Sequence, residues 1–370
     1  MIKIGYNNSD KHFGSTSCFE KSDRINNCIN NLKKILNENT FINPDKYFLL
    51  EGNKNKLDSL ELVNQVHSKK YIDSLINHKT TIFKCRNCTE TIYSKEKVSF
   101  EQMINENNKC HSCANKLNVD NVYCYITKDT CFTSFTFDIA LEAVSICKSL
   151  LDEMCISLEF SKQQETLNRQ IKYAFALVRP PGHHCNNEPN GFCVFNNVFI
   201  ASRYAQKLGW NKVLILDIDF HHGDGTQKLI LESNNPNISF VSIHGYGDYI
   251  YPGTGKTSFI DKNIINIPLE IDLTEESREY IDDAFYQNII LTRVMPYIQQ
   301  INPDIIIVSL GFDAHCDDPL EGLNITDDTY IFIVKQLKNT NKNILFVTEG
   351  GYNVDTINRL IQKMIKILTD

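Results

Sequence analysis

Asp217, Asp219, His221 and Asp224 alternate or nearly alternate just past an apolar run, so Asp217, Asp219 and His221 can project from one side of an extended chain. Another carboxylate, Asp313, follows a second apolar run. Two carboxylates and one imidazole around an open position suit a catalytic zinc, which keeps three protein ligands and leaves room for water. The same string could serve only to cap a loop; the converging segments around it favour the metal. His183 and His184 follow Pro180-Pro181-Gly182, a stiff segment that fixes where the two rings point. Adjacent imidazoles beside a metal can divide the proton work, one deprotonating the attacking water and either protonating the leaving amine. Carboxylates such as Asp217 and Asp224 can orient such rings and tune their basicity. The plainer alternatives are extra metal ligands or ordinary loop residues. Tyr352 follows Gly350-Gly351, where the backbone can approach a ligand closely. A phenol there can donate to an oxyanion forming on a carbonyl; standing alone it would read as a packing residue.

The elements that must carry these residues follow from the apolar pattern. Tyr173–Val178, Val213–Leu216, Ile238–Ile243, Ile305–Val308 and Ile344–Val347 are short β-branched runs, expected as strands buried on both faces. Helical stretches are expected at Asn197–Leu208 and Glu275–Gln300, the second with Thr274 as N-cap ahead of acidic residues. Strands alternating with helices give an α/β fold, a parallel sheet covered on both faces. Four of the strands lead directly into the chemically rich segments. Ligands bind at the carboxyl ends of strands in such sheets, so the four loops are expected to build one site.

Length and composition set outer bounds. A chain of 370 residues with 42% hydrophobic content can bury a large core in one domain or two. A net charge of -7 argues against general nucleic-acid binding. Thirteen cysteines, an odd number scattered through apparent core segments, fit a reducing compartment, cytoplasm or nucleus. The N-terminus lacks the apolar stretch of a secretory signal, and no apolar run approaches a membrane span.

The segment 79–124 breaks the pattern, being Asn- and Lys-rich and poor in strand signals. It reads as an insertion in a loop of the larger domain. Cys85-Arg-Asn-Cys88 and Cys110-His-Ser-Cys113 supply four thiolates suited to a closed, tetrahedral structural zinc, in a module resembling a zinc ribbon or treble clef. Its charges nearly balance, so a protein partner is a better expectation for it than nucleic acid.

Several strings, taken in order, resemble the class II histone deacetylase family. They are Arg179-Pro-Pro-Gly-His-His184, Gly191-Phe-Cys-Val-Phe-Asn-Asn197, Asp217-Ile-Asp-Phe-His-His-Gly-Asp-Gly-Thr226, Gly311-Phe-Asp-Ala-His-Cys-Asp-Asp-Pro-Leu320 and Glu349-Gly-Gly-Tyr-Asn353. Val66-His67-Ser68, Tyr71 and the early segment ending in Arg24 extend the likeness toward the N-terminus. The resemblance implies the arginase-deacetylase fold, a single parallel sheet with flanking helices. It implies zinc on Asp219, His221 and Asp313, His184 as general base and acid, and His183 as its electrostatic partner. Asp217 would pair with His183, Asp224 with His184, and Tyr352 would polarise the carbonyl. Gly191, Phe192, Tyr251 and Leu320 would border the acyl-lysine channel, with Arg24 in an acetate-release pocket and potassium near Asp217 and Ser242. Departures are few: Cys185 stands where a small apolar residue is usual, Tyr251 replaces a frequent Phe, and His12-Phe13-Gly14 matches poorly.

Three functions compete on this reading: hydrolysis of acetyl-lysine in proteins or peptides, hydrolysis of acetylated polyamines or other small amides, and acetyl-lysine binding without turnover. A complete set of candidate catalytic residues weakens the third. Polyamine-selective members of the family carry Glu after the Asp-Pro of the Gly-Phe-Asp loop, where this chain has Leu320, with Glu321 next. Leu320 favours acyl-lysine, and Glu321 keeps the polyamine alternative open.

Overall fold

A computed structural model describes the chain except for residues 1, 8, 11, 13–18, 39–46, 52–55, 78–81, 86–90, 94–121, 134, 165–169 and 273–274. Its main sheet has eight strands: β1 (Ile2–Tyr6), β2 (Tyr47–Glu51), β7 (Tyr173–Leu177), β8 (Val213–Asp217), β9 (Ile238–Tyr246), β10 (Ile264–Glu270), β11 (Ile305–Leu310) and β12 (Asn343–Thr348). They run in the order β10-β9-β8-β11-β12-β7-β1-β2, and every pairing is parallel.

Parallel pairing requires crossovers, and the helices that make them cover both faces. Alternate strand residues go to opposite sides, so each strand feeds two cores. Phe175, Leu214, Leu216, Ile306, Val308, Ile344 and Phe346 share one core with helices α1 (Asp23–Glu38), α10 (Asp327–Asn339) and α11 (Val354–Thr369). Ala174, Ala176, Val213, Ile215, Ile305, Ile307 and Leu345 share the other with α4 (Thr136–Gln164), α5 (Asn197–Lys207) and α6 (Asp224–Ser233). On β7 the division is by size: small residues face α4, while Phe175 stacks on Phe346 at 4.6 Å between ring centroids.

The five strands expected from the sequence are present, with ends displaced by one to three residues. The helix expected at Glu275–Gln300 is instead interrupted: α7 (Glu275–Tyr280), α8 (Asp283–Ile289), a π turn (Ile290–Val294) and α9 (Met295–Ile301). Asp282, in extended conformation, accepts from the Phe285 N–H at 2.8 Å and starts a fresh helix. Pro296 has no N–H to continue the ladder, and the widened turn lies just ahead of it. The proposed N-cap Thr274 lies outside the described residues.

The inserted segment is richer in strand than its composition suggests. β3 (Ile82–Cys85), β4 (Thr91–Tyr93), β5 (Val122–Tyr125) and β6 (Cys131–Phe132) form an antiparallel sheet ordered β4-β3-β5-β6. These runs are short but rich in β-branched and aromatic residues, which suffices for strands once they find partners. Cys85 ends β3, paired with Val122; Cys88, Cys110 and Cys113 lie outside the described residues. Along the chain, the short helices α2 (Lys56–Asn64) and α3 (Lys69–Ile76) lie between β2 and β3.

Candidate active site

β8, β11, β12 and β7 are consecutive neighbours at the centre of the sheet. Ser309 is in register with both Asp217 and Val347, so these strands end at one level and their following loops converge. His183, His184, Asp219, His221 and Tyr352 line one cavity open to solvent, bordered by Gly191, Phe192, Tyr251 and Leu320. Asp217, Asp224 and Asp313 stand behind these walls as partners of the histidines. Phe192 takes a left-handed backbone conformation (φ 66°), which a bulky side chain adopts only under tertiary constraint.

Asp219, His221 and Asp313 are buried, with ligand atoms within 4.8 Å of one another. His221 Nδ1 lies 3.2 Å from Asp219 Oδ1 and 3.1 Å from Asp313 Oδ2. One ring nitrogen cannot donate a single proton fully to both carboxylates, whereas a divalent cation shared by all three would satisfy the set. The outer oxygens are already held: Asp219 Oδ2 accepts from the Gly350 N–H at 2.7 Å, and Asp313 Oδ1 from the Phe220 N–H at 2.8 Å. A Cβ on Gly311 would collide with Asp219 and one on Gly350 with Asp313, so two glycines shape the cradle. The donor chemistry and the close-fitting backbone suit zinc.

The histidine pair is held from behind. His183 Nδ1 is 3.1 Å from Asp217 Oδ2, His184 Nδ1 is 2.6 Å from Asp224 Oδ1, and the ring centroids are 4.0 Å apart. Burial opposes the His183 cation, but Asp219 and Asp217 outweigh it and raise His183 to about 10. Burial lowers His184 to about 4, helped by the neighbouring His183 charge and opposed by Asp224. The two rings therefore favour different charge states. Burial also raises the Tyr352 phenol well above its ordinary range, so it keeps its proton, despite the Arg24 guanidinium 4.8 Å from its ring centroid.

A histone deacetylase domain model matches residues 18–368. The chain belongs to the histone deacetylase family. Its curated relatives include Arabidopsis thaliana "Histone deacetylase 14, chloroplastic", 37% identical over 64% of this chain and 54% of that protein. Caenorhabditis elegans "Histone deacetylase 6" is 34% identical over 66% of this chain and 24% of that protein. A crystal structure of the HDA15 HD domain superposes with a TM-score of 0.73 at 26% identity, covering 100% of this chain and 88% of that one. This histone deacetylase family chain thus has the family's fold, as its motifs imply, and spans about half or less of the length of these curated relatives.

Within this deacetylase fold, the remaining expected residues, Arg24 and Ser242, lie outside the cavity's lining and touch its supporting elements. Arg24 donates from Nε to the Gly351 carbonyl and from a terminal nitrogen to that of Glu349, bracing the loop that carries Tyr352. Ser242 pairs with Asp217 across β8 and β9, and its hydroxyl lies 2.9 Å from His244 Nδ1.

Sequence reading missed the residues that tie loop to loop. Glu349 Oε2 accepts from the Gly182 N–H at 2.6 Å and the His183 N–H at 3.1 Å, joining the Tyr352 loop to the histidine loop. Burial raises its carboxyl to about 7, against the pull of His183. Asp318 accepts from the N–H groups of Leu320 and Glu321 and, through its other oxygen, from that of Tyr352 at 2.7 Å. The Asp-Pro turn signal at Asp318-Pro319 hinted at this role. Glu20 bridges Arg24 and Arg179, with His12 Nε2 3.3 Å away. Asp129 at the cavity rim carried no sequence signal.

Proposed function

We propose that this chain hydrolyses the acetyl amide of N-acetyl-lysine in proteins or peptides, with zinc on Asp219, His221 and Asp313. The single observation that carries the proposal is the convergence of two buried carboxylates on His221 Nδ1 beside the His183–His184 pair, whose rings lie 4.0 Å apart and are held by Asp217 and Asp224. Zinc there would supply Lewis acidity, drawing electron density from the amide carbonyl and acidifying a water nearby.

The protein's own groups do the rest. His184, neutral and oriented by Asp224, takes a proton from the attacking water and returns one to the lysine nitrogen as the C–N bond breaks. His183, held by Asp217, remains the cation beside it and favours the charge building on the carbonyl oxygen. Tyr352, protonated and held over Arg24, donates to that same oxygen. Phe192 and Tyr251 would enclose the apolar lysine stem with Gly191 and Leu320 at its border, and Arg24, 4.8 Å from the Tyr352 ring centroid, would serve the release of acetate.

Further parts of the proposal rest on the sequence. Cys85, Cys88, Cys110 and Cys113 would hold a second, structural zinc in a module spanning 79–124, a surface for a protein partner. Potassium near Asp217 and Ser242 is included, and direct nucleic-acid binding is not. A reducing compartment, cytoplasm or nucleus, belongs to the same reading, on the odd number of cysteines, thirteen, in the sequence. Among the described residues no helix is long and apolar enough to cross a membrane.

The test compares turnover of an acetyl-lysine peptide with that of acetylspermidine by the zinc-loaded protein. The proposal expects the peptide to be favoured. Preference for acetylspermidine would move the assignment to a polyamine amidohydrolase, and zinc binding with neither turnover would leave only acetyl-lysine recognition.

A further inference from the structure

Glu321 borders the cavity but points at the metal cradle. Its position is set by the turn before it, where Asp318 Oδ1 accepts from the Leu320 N–H at 2.9 Å and the Glu321 N–H at 3.2 Å. The next residue ties the turn to the cradle, Gly322 N–H donating to the Asp313 carbonyl at 3.0 Å. The side chain so directed places Oε1 3.4 Å from His221 Nε2 and Oε2 3.0 Å from an Arg278 terminal nitrogen. Arg278, on α7, also donates to the backbone carbonyls of Glu321 and Gly322, and its guanidinium lies 5.5 Å from the Phe220 ring centroid. Phe220 separates Asp219 from His221 in the chain, so Arg278 touches the same loop that Glu321 meets at His221.

The geometry fixes which nitrogen does what. His221 Nδ1 faces Asp219 and Asp313, so a cation there leaves Nε2 as the nitrogen that carries hydrogen. Glu321 is the acceptor waiting for that N–H. We infer that Glu321, locked in place by Arg278, is a positioning residue for His221, holding its tautomer and ring orientation and strengthening Nδ1 as a donor to zinc. This rests on the proposed zinc site and sharpens the substrate class. A carboxylate with one oxygen on an imidazole and the other on a guanidinium has little charge left for a polyamine's distal ammonium. Glu321 thus serves the metal and not the gate.

Zinc affinity of the full chain, measured by competition with a chromophoric chelator, tests this without substrate. Glu321→Ala is expected to weaken zinc binding on the order of tenfold to a hundredfold. Glu321→Gln, which keeps an acceptor but loses the charge, should weaken it several-fold, and Arg278→Ala should shift it the same way. The ratio of kcat/KM for the acetyl-lysine peptide to that for acetylspermidine should stay unchanged in Glu321→Gln. Zinc affinity within twofold of the parent in Glu321→Gln, or a selective loss of acetylspermidine turnover, would overturn the inference; Glu321→Gln decides the matter if Glu321→Ala does not fold. A parent chain that binds zinc yet leaves acetyl-lysine untouched would count against the proposed activity and leave Glu321's role standing.

Discussion

Replacing Gly350 with alanine asks whether the metal cradle is rigid. The added Cβ would collide with Asp313 Oδ2 and lie 2.6 Å from Asp219 Oδ2, about 0.8 Å inside ordinary van der Waals contact. Both carboxylates belong to the candidate zinc set, and a site of this kind tolerates displacements of only about 0.5 Å. The loop cannot readily retreat. Gly350 is held by its N–H to Asp219 and by its carbonyl, which accepts from the Phe312 N–H at 3.1 Å. Glu349 is fixed to the histidine loop, and Arg24 holds the carbonyls on either side of Gly350. The carboxylates must therefore move, and zinc affinity should fall on the order of tenfold to a hundredfold, as for disturbed partners of metal ligands. Overpacking should cost the metal-free fold about 1–3 kcal/mol, read from its thermal unfolding. Chelator competition measures the first effect and separates it from the second. Zinc affinity within twofold of the parent, together with full turnover, would refute a cradle set by backbone contact.

Tyr352→Phe should bind zinc normally while turnover falls on the order of a hundredfold or more, as when an oxyanion donor is lost; near-normal turnover would remove Tyr352 from its role. Glu20→Gln leaves Arg24 and Arg179 without their shared counter-charge, and should cost about 3–5 kcal/mol in urea unfolding at pH 7. Burial opposes the Glu20 carboxylate, but Arg179 and His12 hold its pKa well below the usual range. Its contribution is therefore complete above the unfolded value near 4.5 and is lost as pH falls. The gap between parent and variant should narrow below about pH 4.5, and a gap that is constant with pH would contradict this linkage. Metal analysis should find about two zinc ions per chain, with Cys110→Ser losing one and keeping small-peptide activity; one zinc in the intact chain would end the second-site reading.

Much of the fold was legible because parallel strands buried on both faces leave an unbroken apolar signature. Val213–Asp217 and Ile305–Leu310 carry it, and the polar residues that follow fall at the carboxyl ends of central strands. β1 and β10 were passed over because Gly5 and Pro268 weaken their local pattern. The break near Asp282 was hidden inside a helical composition, since the capping bond that decides it involves only one side chain.

For the site, residue types and spacing pointed to Asp217, Asp219, His221 and Asp313 beside the histidine pair and Tyr352, each announced by its own loop, and the family resemblance selected the candidate metal trio among them. Which atoms meet was decided by the tertiary structure. Glu349 reaches the histidine loop, Asp318 joins Leu320 and Glu321 to Tyr352, and Glu321 turns toward His221 rather than the cavity mouth. Carboxylates look alike in a sequence; whether one meets a backbone N–H, an imidazole, a guanidinium or open water depends on strand order and loop packing.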